Sequence, residues 1–209
     1  MDKSIYSLVL SDDVVAKVDE LAYQMHSSRS NIINQILAER FSCITPEMRI
    51  QTIFSGMESL MPLMQQFRIL EQNSANIRAL QSQLNYKYKP TVQYSVELFK
   101  KAENNCVGKL RIQLRTQNQT LLLSLEQFFR LWILLEQRYL HISAEYQLSP
   151  GRLERSLRNP DTEETEFGEL LGDYVRRFDR YLKAWFAGNS AQELETAFCE
   201  EIQNIQKMI

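Results

Sequence analysis

The feature that most restricts how this chain can fold is a strand with no partner nearby. In Tyr6, Leu8 and Leu10 every second residue is apolar, which gives a short strand one buried face and an outward face carrying Ile5, Ser7 and Val9. A lone strand leaves its backbone N–H and C=O groups unpaired, and no second alternating run lies close enough in sequence to form a hairpin with it. The least costly partner is the same strand of a second copy of the chain.

Two helices are expected next. Ser11, followed by Asp12 and Asp13, reads as a helix start, with a hydroxyl for the orphan amides and two carboxylates at the positive end of the dipole. Val14, Val18, Leu21, Ala22 and Met25 fall three or four apart, so an amphipathic helix should run to about His26. Ser27-Ser28 interrupts it. Ser28 then caps a second helix with Ile32, Ile33, Ile36, Leu37 and Phe41 inward and Asn31, Asn34, Gln35 and Glu39 outward. One strand and two short helices make too small a core to stand alone, which again calls for a second copy.

The alternating Tyr6–Leu10 segment, the Ser11 cap in LSDDVV and the helix opening SRSNIINQIL together resemble a ribbon-helix-helix DNA-binding domain of the MetJ, Arc and CopG kind. The resemblance covers residues 4–42 only. It implies an intertwined homodimer, or a higher homo-oligomer, whose two strands form one antiparallel ribbon in the major groove of double-stranded DNA. On that resemblance Ile5, Ser7 and Val9 face base edges, while Lys3, Ser28, Arg29, Ser30 and Asn31 meet phosphates. Tyr6, Leu8, Leu10, Val18, Leu21, Ile33, Ile36 and Leu37 would then form the dimer core. The phosphate role has an independent basis, because a helix N-terminus offers unpaired N–H groups and a favourable dipole to an anion.

Two features depart from the family pattern. Its members usually place polar or basic side chains on the outward ribbon face, whereas Ile5 and Val9 offer only apolar contact, suited to thymine methyls. Residues 1–42 also hold four cations (Lys3, Lys17, Arg29, Arg40) against six carboxylates. Neutralised phosphates supply most non-specific affinity, so this segment alone should bind DNA weakly and with a shallow salt dependence. A ribbon that serves dimerisation and touches no nucleic acid is the alternative reading of the same stretch.

A chain of 209 residues leaves most of its length for something else. The expected division is a module over residues 1–43 and a larger domain over 44–209. Thr45-Pro46-Glu47 opens a helix with a hydroxyl cap and proline at the first position. Ile50, Met57 and Met64, with Ile53, Leu60 and Phe67, keep a heptad spacing that suits either a coiled-coil seam or packing onto the chain's own core, and Pro62 should interrupt it. A further helix is expected around Ser74–Leu84. From Thr91 the period changes to two, and Val92, Tyr94, Val96 and Leu98, a turn at Glu103-Asn104-Asn105, then Leu110, Ile112 and Leu114 predict a hairpin over about 91–116. Its other face carries Gln93, Ser95, Glu97, Lys109, Arg111, Gln113 and Arg115, so the second strand is markedly basic on the outside and suits DNA, an acidic partner or protection against edge-to-edge aggregation.

Helical patterns resume in Asn118–Tyr146, whose aromatic stripe fits a core or a small effector, and in Phe167–Ala187. Between them Ser149-Pro150-Gly151 is a break, and Arg152, Arg155 and Arg158 fall three apart as on a helical flank. Ser190 with Glu193 forms a capping box for a last helix containing Leu194, Phe198, Ile202 and Ile205. The fold class expected is therefore mainly α, a ribbon-helix-helix plus a helical domain with one β-hairpin.

The remaining composition bounds function. A net charge of −2 argues against a basic nucleic-acid coat protein. Three dispersed cysteines, Cys43, Cys106 and Cys199, and two separated histidines, His26 and His141, suggest neither a disulfide framework nor a metal site. Met1 leads almost directly into the strand and no apolar run is long enough to span a bilayer, so a cytoplasmic protein without membrane contact is expected. No phosphate loop, nucleophile elbow or HExxH motif occurs, and neither an enzyme nor a cofactor is expected. The expectation is a dimeric sequence-specific DNA-binding protein, a transcriptional regulator, whose larger domain adds oligomerisation, effector sensing or protein contact. The alternative is a DNA-binding accessory protein of plasmid or mobile-element maintenance or chromosome organisation that recruits a partner through that domain.

Overall fold

The computed structural model describes residues 5, 7–60, 65–71, 74–140 and 144–203. The chain divides into two units, residues 1–48 and 49–209. The first holds α1 (Asp12–Gln24) and α2 (Arg29–Arg40), and a third helix, α3 (Pro46–Ser59), begins at its end. Thr45 caps α3 as its sequence position suggests, its hydroxyl accepting from the Met48 amide at 3.1 Å.

The second unit overturns the mainly α expectation. It contains six strands, β1 (Arg68–Leu70), β2 (Ile77–Gln83), β3 (Thr91–Glu103), β4 (Cys106–Leu114), β5 (Tyr146–Ser149) and β6 (Arg152–Arg158). They form one antiparallel sheet in the order β1-β2-β3-β4-β6-β5. Three helices accompany them, α4 (Gln119–Tyr139), α5 (Glu164–Phe186) and α6 (Ala191–Ile202). The class is α/β, with a sheet where a single hairpin was expected.

The hairpin of β3 and β4 forms where the alternation places it. Asn104 and Asn105 both take positive φ (49° and 63°), the backbone a two-residue hairpin turn of the right twist requires. Two other segments depart from their predicted state. Ser74–Leu84, expected to be helical, contains β2, and the Arg152–Arg158 run, expected on a helical flank, is β6. The predicted helix over Asn118–Tyr146 ends at Tyr139, and Tyr146 starts β5. Ser149-Pro150-Gly151 is the β5–β6 turn, with proline followed by glycine at φ 70°, the arrangement of a type II turn.

The physical reason for both misreadings is polar side chains on the buried face. Strand residues alternate, and the inward set of β2 is Arg78, Leu80 and Ser82, while that of β6 is Leu153, Arg155 and Leu157. Each inward polar group has a partner on a helix. Arg78 pairs with Glu58 of α3 at 2.8 Å and lies over the Phe54 ring. Ser82 donates to Asp179 of α5, which also accepts from Tyr94 (2.9 Å) and Lys183 (2.6 Å). Burial, then the neighbouring carboxylate, pushes the Tyr94 phenol well above its usual range, so it stays protonated and donates. Arg155 and Glu136 of α4, both fully buried, pair at 3.1 Å.

Apolar side chains fill the rest. Leu80, Val92, Tyr94, Val96, Leu110 and Ile112 meet one helical layer built from Phe54, Leu125, Phe128, Phe178 and Leu182 in one core. The Trp132 ring packs edge-on against Phe178, Tyr174 and Phe198, the last fixing α6 against α4. Ile50, Ile53 and Met57 belong to this core, so the heptad stripe packs onto its own chain over those positions; Pro62 and Met64 lie outside the described residues. Ser190 and Glu193 form the predicted capping box of α6.

Helices α3 and α5 cross with almost no space between their backbones. A Cβ at Gly168 would sit 2.0 Å from the Ile53 carbonyl oxygen, and one at Gly56 would sit 2.3 Å from that of Thr165. Gly168→Ala is therefore expected to force the helices apart and to cost about 1–3 kcal/mol, read as a lower urea midpoint at unchanged m-value. An unchanged midpoint would show that α3 is not held there.

Candidate nucleic-acid interface

The first unit is assembled from short-range chemistry. Ser11 occupies the N-cap of α1 in extended conformation, but its hydroxyl makes no capping bond, unlike the expectation. Met25 is the C-cap of helix α1, and His26 takes positive φ (47°) so that the Ser27 amide can return to the Ala22 carbonyl at 2.9 Å. The chain then turns directly into α2, whose cap is Ser28: its hydroxyl accepts from the Asn31 amide at 3.3 Å.

The predicted phosphate-contacting residues gather around this turn. Ser28, Arg29 and Ser30 are exposed at the start of α2, where Arg29 and Ser30 present first-turn amides that have no intrahelical acceptor. Asn31 is half-buried and bonded within the turn, its side-chain amide donating to Ser27 Oγ at 2.9 Å. Lys3 lies outside the described residues. Arg29 Nε and Nη2 both donate to the Asp19 carboxylate, which fixes the guanidinium between the two helices and holds its pKa above the usual value. Asp19 was not singled out from sequence, since a partner ten positions away carries no helical-spacing signature. The pair uses two of the five guanidinium N–H donors.

The base-facing set, Ile5, Ser7 and Val9, is exposed, with Ile5 and Val9 fully so. Residues 7–10 form neither strand nor helix in a single copy, so the short strand expected over Tyr6–Leu10 is not formed over its described residues. The alternate side chains are less open, Leu8 at 61% and Leu10 at 38%; Tyr6 lies outside the described residues.

Of the remaining expected dimer-core residues, Val18 is buried and Ile33 half-buried, in a cluster with Ala22 and Ile32. Leu21, Ile36 and Leu37 stay 38–46% exposed in a single copy. Four buried apolar side chains, Val18, Ala22, Ile32 and Ala38, are a very small core for forty residues, and fully burying each further leucine or isoleucine is worth roughly 1.5–3 kcal/mol. Leu21, Ile36 and Leu37 therefore remain open to an apolar cover.

Among the described residues no group of three His, Cys, Asp or Glu side chains is placed to hold a metal ion, and no helix is long and apolar enough to cross a membrane. Comparison with family models, curated proteins and solved structures finds no match to this chain.

Proposed function

We propose that this chain is a dimeric, sequence-specific DNA-binding protein, a transcriptional regulator acting in the cytoplasm, that reads the major groove with a ribbon made from residues 5–10 of two copies. The observation that carries this reading is a two-helix unit with Leu21, Ile36 and Leu37 uncovered, preceded by exposed residues 7–10 that pair with none of the chain's own strands. Pairing two such segments satisfies their backbone groups, turns Leu8 and Leu10 onto the uncovered helices, and leaves Ile5, Ser7 and Val9 outward. The start of α2 then supplies amides, two hydroxyls and the outer edge of Arg29 to the phosphate backbone on either side of the ribbon.

The roles separate experimentally. Arg29→Ala with Ser30→Ala is expected to weaken binding about equally across all DNA sequences, because phosphates carry no sequence information, whereas Ser7→Ala alters the preferred sequence. Mobility-shift titrations against a randomised duplex pool check this; equal loss for every sequence after changing Ser7 would remove the ribbon from the groove. The size of the second unit, residues 49–209, also supports an accessory role in which it recruits a partner. Mapping bound sites to promoters or to a replication origin separates the two.

A further inference from the structure

The C-terminal sheet has a second face that its core does not use. The inward strand residues and the helices share one apolar cluster, and the outward strand residues belong to none among the described residues. On the central strands that outward face is charged. Lys109 stands opposite Glu97 and pairs with it at 3.2 Å; Arg111 stands opposite Glu154 and pairs with it at 2.6 Å; Arg152 donates to the same Glu154. Three cations thus share two carboxylates, and exposed Arg68 on β1 and Arg115 after β4 add to the excess.

Between β2, β3 and β4 this face carries a small depression of about 130 Å³, lined by Ile77, Gln93, Ser95, Glu97, Lys109 and Arg111. It is about the size of four waters, enough for one phosphate-sized group. Its donors are already oriented. Gln93 donates to Ser95 Oγ at 3.3 Å, which leaves the Ser95 hydroxyl proton to point elsewhere, and Arg111 uses only Nε toward Glu154, leaving its Nη hydrogens available. Among the lining residues the single apolar side chain is Ile77, too little for a stable interface with a second copy, and no ring is present on which an unpaired base could stack.

We propose that this outward sheet face docks on the phosphate backbone of duplex DNA, with one phosphate seated against Lys109, Arg111 and Ser95. The inference rests on the DNA-binding reading above and deepens it. The first unit carries seven carboxylates to four cations over residues 1–48 and cannot by itself supply the counterion release on which DNA affinity depends. The sheet face supplies what that unit lacks, sequence-independent cations on rigid central strands.

The test is the salt dependence of binding by the intact protein, measured by fluorescence anisotropy on a duplex of arbitrary sequence. Lys109→Gln with Arg111→Gln is expected to lower the magnitude of the slope of log K against log salt by about 0.9, the loss of one phosphate contact, with unaltered sequence preference. Glu97→Gln, which removes a carboxylate from the depression, is expected to tighten binding several-fold, a gain that damage to folding cannot imitate. Binding that survives with the slope unchanged in the first variant and no gain in the second overturns the sheet-face contact and leaves the ribbon reading standing. Absence of DNA binding by the unaltered protein overturns both.

Discussion

Replacing Arg155 with methionine is expected to destabilise the C-terminal unit by about 3–5 kcal/mol, the largest effect of any single substitution considered for the sheet. The guanidinium is fully buried on the core face of β6, donates to Glu136 Oε2 at 3.1 Å, and lies 4.7 Å from the centre of the Tyr174 ring. Tyr146 donates to the same carboxylate oxygen at 2.7 Å, and burial first, then the nearby Glu136 charge, raise its phenol so that it remains a donor. Glu136 Oε1 has no hydrogen-bond partner among the described residues, so the carboxylate is already under-satisfied. Without Arg155 it becomes a buried charge that keeps the Tyr146 hydrogen bond but has lost its cation.

The paired change makes the cause identifiable. Arg155→Met combined with Glu136→Met removes both charges from the interior and is expected to recover most of the lost stability, because well-packed apolar side chains commonly replace a buried ion pair at little cost. Urea unfolding of the two single variants and the double variant gives the coupling directly. A cost below about 1 kcal/mol for Arg155→Met would mean that water reaches the pair and that it does not hold β6 against α4.

The second large effect concerns the proposed dimer. Leu10→Asp with Leu37→Asp is expected to abolish self-association and to reduce DNA affinity by about a thousandfold or more. Both side chains are 38–45% exposed in one copy, so the substitutions burden a lone chain little. In a two-fold dimer each appears twice, and four carboxylates would enter an apolar seam where each displaced leucine is worth roughly 1.5–3 kcal/mol. Sedimentation velocity measures the association and mobility shift the binding. A dimer that survives these changes would place the contact between copies elsewhere and remove the basis for the ribbon.

Legibility differed from element to element for identifiable reasons. Helices α1, α2, α5 and α6 could be read because their apolar residues repeat every three or four positions, with Ser28 and Ser190 marking two starts. The β3–β4 hairpin was equally plain, since the inward residues of both strands are apolar throughout. Strand β2 was not. Its Ile77, Leu80 and the following Leu84 mimic a helical spacing, and Arg, Ala, Leu and Gln are helix-favouring residues held extended by pairing with β1 and β3. Strand β6 hid behind Arg155, an inward residue that breaks the alternation of Leu153 and Leu157 for any reader without sight of Glu136. The Pro150-Gly151 turn was visible as a break, but its identity as a hairpin depended on those two strands.

The candidate site divides in the same way. Ser28 as a cap and Ile5, Ser7 and Val9 as an outward set follow from local pattern, whereas the engagement of Arg29 by Asp19 and of Asn31 by Ser27 required coordinates. The outward cations of β4 and Glu97 opposite them were legible on one face of the hairpin, but Arg152 and Glu154 joined that face only with the sheet register.

By itself the amino-acid order determined whatever depends on neighbours within about a turn: helical periods, the caps at Ser28, Thr45 and Ser190, and the two-asparagine hairpin turn. The tertiary structure alone decided where a polar side chain could be buried. Arg78, Ser82 and Arg155 sit on the inner face of the sheet because Glu58, Asp179 and Glu136, distant in sequence, meet them there. A buried charge is tolerated only with its partner in place, and that condition is set by packing across the core rather than by any local pattern.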